Sequence, residues 1–115
     1  MNRGALDREF LVELLEGDRE FGQELLAAFV EASTQWLKEG RSACLGSDPT
    51  LAARAFHTLK GSAGSVGLAS VRALALQLED AAKQGRLDLC ADRLAELEAE
   101  ITRGQTELAE FLESL

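Results

Sequence analysis

Apolar residues recur along this chain at helical spacing. Phe10, Leu11, Leu14 and Leu15 fall on one side of a short segment, which predicts a helix from Arg8 to about Glu16 with Asp7 as N-cap and Gly17 as stop. Asp18 then caps a second helix running from about Arg19 towards Leu45. Its periodic positions are Phe21, Leu25, Ala28, Phe29, Ala32, Trp36 and Leu37, with Gly40 as a weak point. Gly46-Ser47-Asp48-Pro49 is the firmest boundary: a glycine stop, an Asp N-cap and Pro at the first helical position. The third helix starts at Pro49 and frays near Gly64 to Gly67. Ser70 is the expected N-cap of a fourth, which ends before Gly85 and turns Leu74, Leu78 and Ala81 inward. Asp88 is the expected cap of a fifth reaching the C-terminus. Leu94, Leu97, Ile101, Leu108, Phe111, Leu112 and Leu115 form its apolar set, and Gly104 is a candidate bend.

No stretch alternates as a strand does, and no repeat or low-complexity tract appears. Four long amphipathic helices with short connections predict an all-α, antiparallel four-helix bundle, with a short additional N-terminal helix closing one end. The expected organisation is a single domain over residues 1–115: the short helix at 7–16 and the bundle over about 18–115.

Composition narrows this picture. The chain is 115 residues long, 46% hydrophobic and 5% aromatic, with one proline, which suits one Leu/Ala-rich core and not a disordered chain. No apolar run approaches the roughly 18–20 residues of a membrane span, so no membrane insertion is expected. Met1 to Asp7 lacks the apolar region of a signal peptide, and a cytoplasmic location follows as an expectation. An initial Met and a last helix running out at Leu115 read as a whole small protein, expected to be a monomer. Cys44 and Cys90 both fall in helical patterns and are expected to be buried thiols. A net charge of −8 argues against nucleic acid, which is bound by neutralising phosphates.

The chemistry concentrates in one stretch, from Ala55 to Gly67, which holds the only histidine, a lysine one turn later and three glycines. Each glycine costs a helix about 1 kcal/mol relative to alanine, so the pattern needs a reason. When the third helix is unrolled at about 100° per residue, Leu51, Ala52, Ala55, Leu59, Ser62, Ala63 and Val66 fall opposite His57. That arc belongs to the core. Thr50, Ala53, Lys60, Gly61 and Gly64 fall near His57, with Arg54 at the edge. The histidine is therefore expected on the solvent side, with glycine at i+4 and i+7 and the Lys60 cation at i+3. Such an arrangement suits an anion on the imidazole and close approach of another protein's backbone. A metal site is disfavoured, because there is no second histidine and Lys60 repels cations. A Ser-His-Asp hydrolase is disfavoured because Ser62 faces the core and nothing suggests an oxyanion hole. No nucleotide-binding glycine loop is present.

The run His57-Thr58-Leu59-Lys60-Gly61-Ser62-Ala63-Gly64-Ser65-Val66-Gly67 resembles the signature of histidine-containing phosphotransfer (Hpt) domains. The match extends through Leu68 and Leu74 to Leu78-Glu79. The resemblance implies a four-helix bundle that carries phosphoryl groups in two-component phosphorelays. It implies His57 as phospho-acceptor at Nε2, Lys60 beside the phosphoryl group, and Glu79 meeting Nδ1 of His57. Ala53, Arg54, Gly61 and Gly64 become the candidate docking residues. No cofactor is implied on this chain; Mg²⁺ is expected on the partner. The implied partners are response-regulator receiver domains, a hybrid histidine kinase, or both, with no autonomous kinase activity. A near relative of this reading is the phospho-accepting domain of a chemotaxis-type histidine kinase, fed from ATP on a separate kinase domain. A non-catalytic helical adaptor with a vestigial histidine motif is the alternative from a different class.

Overall fold

A computed structural model describes residues 6–115 of the chain; the N-terminal reading of Met1 to Ala5 lies outside them. Five helices follow one another: α1 (Arg8–Leu15), α2 (Arg19–Leu45), α3 (Pro49–Ser65), α4 (Ala69–Lys83) and α5 (Leu87–Glu113). The first three start as the sequence predicts. The side chains of Asp7, Asp18 and Asp48 accept the backbone N–H three residues on, at 3.1, 2.9 and 3.1 Å, each cap contributing about 1 kcal/mol.

Three-residue connections make α2 to α5 antiparallel neighbours, and α1 lies across the end where α3 gives way to α4. Asp7 N–H donates to Gly67 O at 2.7 Å, and Leu11 of α1 packs against Gly67. Gly67 has a φ of +73° and lets Leu68 N–H return to Ala63 O at 2.9 Å, closing α3 with a left-handed residue.

Two expected caps are displaced. Leu68, fully buried, occupies the N-cap of α4 and gives it no side-chain cap, so Ser70 lies inside the helix. The tight reversal at Gly67 sets that start: backbone geometry and the burial of Leu68 override capping preference. At α5 the cap position is Arg86. Asp88 instead sits in the first turn, where the helix dipole favours a carboxylate, 3.7 Å from Arg86 Nε. Between α2 and α3 the left-handed residue is Ser47, at φ +57°, while Gly46 has an ordinary φ of −89°.

The core also departs from the sequence reading along α2. Its buried line is Gly22, Phe29, Ser33, Leu37, Gly40 and Cys44, while Phe21 and Ala28 are exposed. Four of these six are small, and at the glycines neighbouring side chains fill the space. Phe56 of α3 is fully buried, and its ring edge lies 2.9 Å from where a Gly40 Cβ would be. A Cβ on Gly22 would collide with Leu112 of α5. Gly40 is thus a close-packing site inside a continuous helix. Gly104 plays the same part in α5, which runs unbroken past it; its Cβ would sit 3.2 Å from Leu68. Phe56 falls outside the arc opposite His57 and takes its place in the core through Gly40. Phe10 and Leu115 remain more than a third exposed.

Cys44 and Cys90 are free and buried, as expected. Burial raises both thiols, Cys90 to about 11, and Cys90 Sγ lies 3.4 Å from Leu78 O.

Two glycine substitutions should move stability in opposite directions. Gly40→Val should lower the unfolding free energy by about 1–3 kcal/mol, because the Phe56 ring cannot yield without overpacking. A Cβ on Gly61 meets nothing within 4 Å, so Gly61→Ala should raise it by up to about 1 kcal/mol. Urea midpoints at unchanged m-value would register both.

Candidate functional site

His57 is in the middle of α3, on the side turned away from Leu59 and Ala63, and its side chain is 64% exposed. The core does not use it. What holds it comes from α4, the antiparallel neighbour of α3, which sets Glu79 against it. Glu79 Oε2 lies 2.9 Å from His57 Nδ1, and the glutamate side chain is only 3% exposed.

A buried carboxylate needs compensation, and Glu79 has three cationic or cation-forming neighbours. Lys60 Nζ is 2.8 Å from Oε1. The angle there is poor for a hydrogen bond, so this contact is an ion pair. Lys83, one turn further along α4, reaches Oε2 at 3.1 Å. Burial by itself pushes the Glu79 carboxyl up; the ammonium charges of Lys60, then Lys83, and the contact with His57 outweigh it and hold the group at about 2.

An ionised Glu79 can only accept a hydrogen bond, so the proton between the pair belongs to His57 Nδ1. In the neutral ring this contact selects the Nδ1–H tautomer, which puts the lone pair on Nε2. Shallow hollows of about 270 Å³, beside Ala53 and Lys83, and about 290 Å³, beside Gly64 and Arg72, lie on either side.

The other sequence candidates sort as follows. Arg54 and Gly61 are exposed, whereas Ala53 is half-buried and packs against the core. Gly64 is not open space: a Cβ there would lie 3.1 Å from Arg72 Cδ and 3.3 Å from its Nε, so the arginine stem crosses over it. Lys83 was not anticipated. Its i+4 spacing from Glu79 was visible, but an Glu–Lys pair at that spacing is an ordinary surface feature until Glu79 is known to be buried. Among the described residues no three His, Cys, Asp or Glu side chains converge to hold a metal ion, and no helix is long and apolar enough to cross a membrane.

The depressed pKa gives a stability window. With its folded value at about 2, below the ordinary value near 4.3, Glu79 contributes stability that is fully present above about pH 4.5. It is lost as pH falls through about 2. Glu79→Gln should therefore cost on the order of 3 kcal/mol at pH 7. The gap from wild type should close between about pH 4.5 and pH 2 in urea unfolding measured across that range.

Comparisons with known proteins bear on the family and the fold. The family profile described as Hpt domain matches residues 24–107. Among solved structures, the chain is similar to histidine-containing phosphotransfer protein B (HptB) from Pseudomonas aeruginosa PAO1. The TM-score is 0.88, with 21% identity over 99% of each chain. A comparison with curated proteins found no match. A five-helix bundle with His57 on its surface, matched over most of its length by that profile, places this chain in the Hpt domain family.

Proposed function

We propose that the chain is a phosphorelay intermediate which accepts a phosphoryl group on Nε2 of His57 from a receiver-domain aspartate and passes it to another. The observation that carries this reading is the His57–Glu79 contact. It leaves one ring nitrogen protonated and held, and the other free on an open surface.

In the forward step the Nε2 lone pair attacks the phosphorus of the aspartyl phosphate in line with the departing carboxylate oxygen. The Nε2–P bond forms as the P–O bond breaks, and the electron pair leaves on the aspartate. The proton on Nδ1 stays in place, so the ring becomes cationic and the buried Glu79 carboxylate stabilises it. Lys60, with its side chain 20% exposed, is within one helical turn of His57 and offsets the phosphoryl charge. A Mg²⁺ held by the receiver would offset the charge of the transferring phosphoryl group. Transfer to a second receiver is the same step reversed. Gly61, exposed and with nothing over it, leaves room for the partner's backbone; Arg54, Ala53 and Gly64 border the same face.

Profiling against a set of phosphorylated receiver domains tests the reading. Wild type should acquire an acid-labile, base-stable phosphate from at least one of them, and His57→Gln should acquire none. Absence of transfer to wild type from every receiver would overturn it. Lys60→Ala should slow transfer about tenfold or more, with the acceptor intact.

The tautomer is separately measurable. Imidazole ¹⁵N shifts of wild type above pH 8 should report Nδ1–H, while Glu79→Ala should give a mixture with a large Nε2–H fraction. A single unchanged tautomer in Glu79→Ala would show that the carboxylate does not set it.

A further inference from the structure

Charge is distributed unevenly over this molecule. Between Pro49 and Lys83 there are four cations against two carboxylates, whereas the rest of the chain has eight cations against eighteen. Helix α3 contains no acidic residue at all. One of the two carboxylates of the segment is the buried Glu79. The other, Asp80, lies about 100° round α4 from it. The His57 face is therefore a positive island on a strongly acidic protein.

The cations themselves are also in different states. Most arginines of the body are engaged: Arg41 with Glu98, Arg86 with Asp88, Arg93 with Glu96, and Arg103 with Glu100 and Glu107, while Lys38 of α2 has no ion pair among the described residues. Arg19 donates to the carbonyls of Leu112, Glu113 and Leu115. Arg54 and Arg72, both exposed, have no ion pair or side-chain hydrogen bond among the described residues. Their positions bracket the histidine. Arg54 is three residues before His57 on α3, about 4.5 Å along the axis. Arg72 reaches across from α4 over Gly64, seven residues beyond His57 and about 10.5 Å along the axis. Glycine at 64 is what allows this crossing, since a Cβ there would press on the arginine stem.

We infer that Arg54 and Arg72 form a two-point electrostatic clamp on either side of His57, which selects protein partners whose phosphoryl site is rimmed by carboxylates on two opposite edges. This inference rests on the phosphorelay reading above and gives the partner a surface chemistry. Two unengaged guanidiniums, presented about 15 Å apart along the helix axis, match paired carboxylates bidentately on docking. At the rim of an interface such charges act chiefly on association rate and its salt dependence. The acidic body outside this face repels the same partners, so approach is steered towards His57.

The test separates docking from chemistry. The full chain and its Arg54→Glu/Arg72→Glu double variant are phosphorylated with phosphoramidate, a small donor that needs no docking surface, and then with the receiver domain identified by profiling. Both positions are exposed and unpaired, so circular dichroism and unfolding midpoints should be unchanged. Phosphoramidate labelling should match wild type. Transfer with the receiver should fall about tenfold or more at low salt, and the steep salt dependence of wild type should flatten. Arg54→Lys/Arg72→Lys should recover most of the rate. A double-reversal variant that exchanges phosphate with the receiver at the wild-type rate and salt dependence would overturn the clamp while leaving the phosphorelay reading intact. Failure of wild type to take phosphate from phosphoramidate and from every receiver would instead overturn that reading, and the clamp with it.

Discussion

The carboxylate of Glu79 is the constraint on which the site depends. A group 3% exposed stays ionised only if the desolvation it suffers is offset locally, and here three neighbours do so. Lys60 comes from the same helix as His57, and Lys83 from the same helix as Glu79. The carboxylate therefore ties α3 to α4 beside the exposed His57 ring. Its oxygens are shared: Oε2 takes both His57 Nδ1 at 2.9 Å and Lys83 Nζ at 3.1 Å. This fixes the ring orientation without burying the ring, which is the combination phosphoryl transfer between two proteins requires.

The scaffold that brings these groups together relies on close approach at small residues as well as on apolar area. Gly40 receives the Phe56 ring, Gly22 receives Leu112, and Gly104 receives Leu68. Burying Phe56 behind His57 matters for the site, because it leaves α3 with its core side filled and its His57 side bare. Gly67 then turns the chain within three residues, so that α4 returns alongside α3 and Glu79 arrives opposite His57.

Glycines in the histidine stretch serve different ends. Gly61 is open surface. Gly64 is the seat of Arg72, and Gly67 is a left-handed turn. Gly61 and Gly64, read from the sequence as clearance for a partner, and Gly67, read as part of a fraying helix end, are separated by the structure into clearance, support and reversal.

The sequence by itself determined the helical class, the three Asp caps and the side of α3 on which His57 lies. Those features are local: they follow from a period of 3.6 residues and from side chains bonding to backbone three positions away. It also placed Glu79 through its resemblance to a known signature. The tertiary structure alone decided the rest. Whether Glu79 is a surface acid or a buried counter-ion depends on the packing of α3 against α4, and the roles of Lys60 and Lys83 depend on that burial. The close-packing glycines of α2 and the reach of Arg72 over Gly64 were hidden for the same reason. Each is a relation between residues on different helices, and hydrophobic periodicity within one helix has no information about what the neighbouring helix fills.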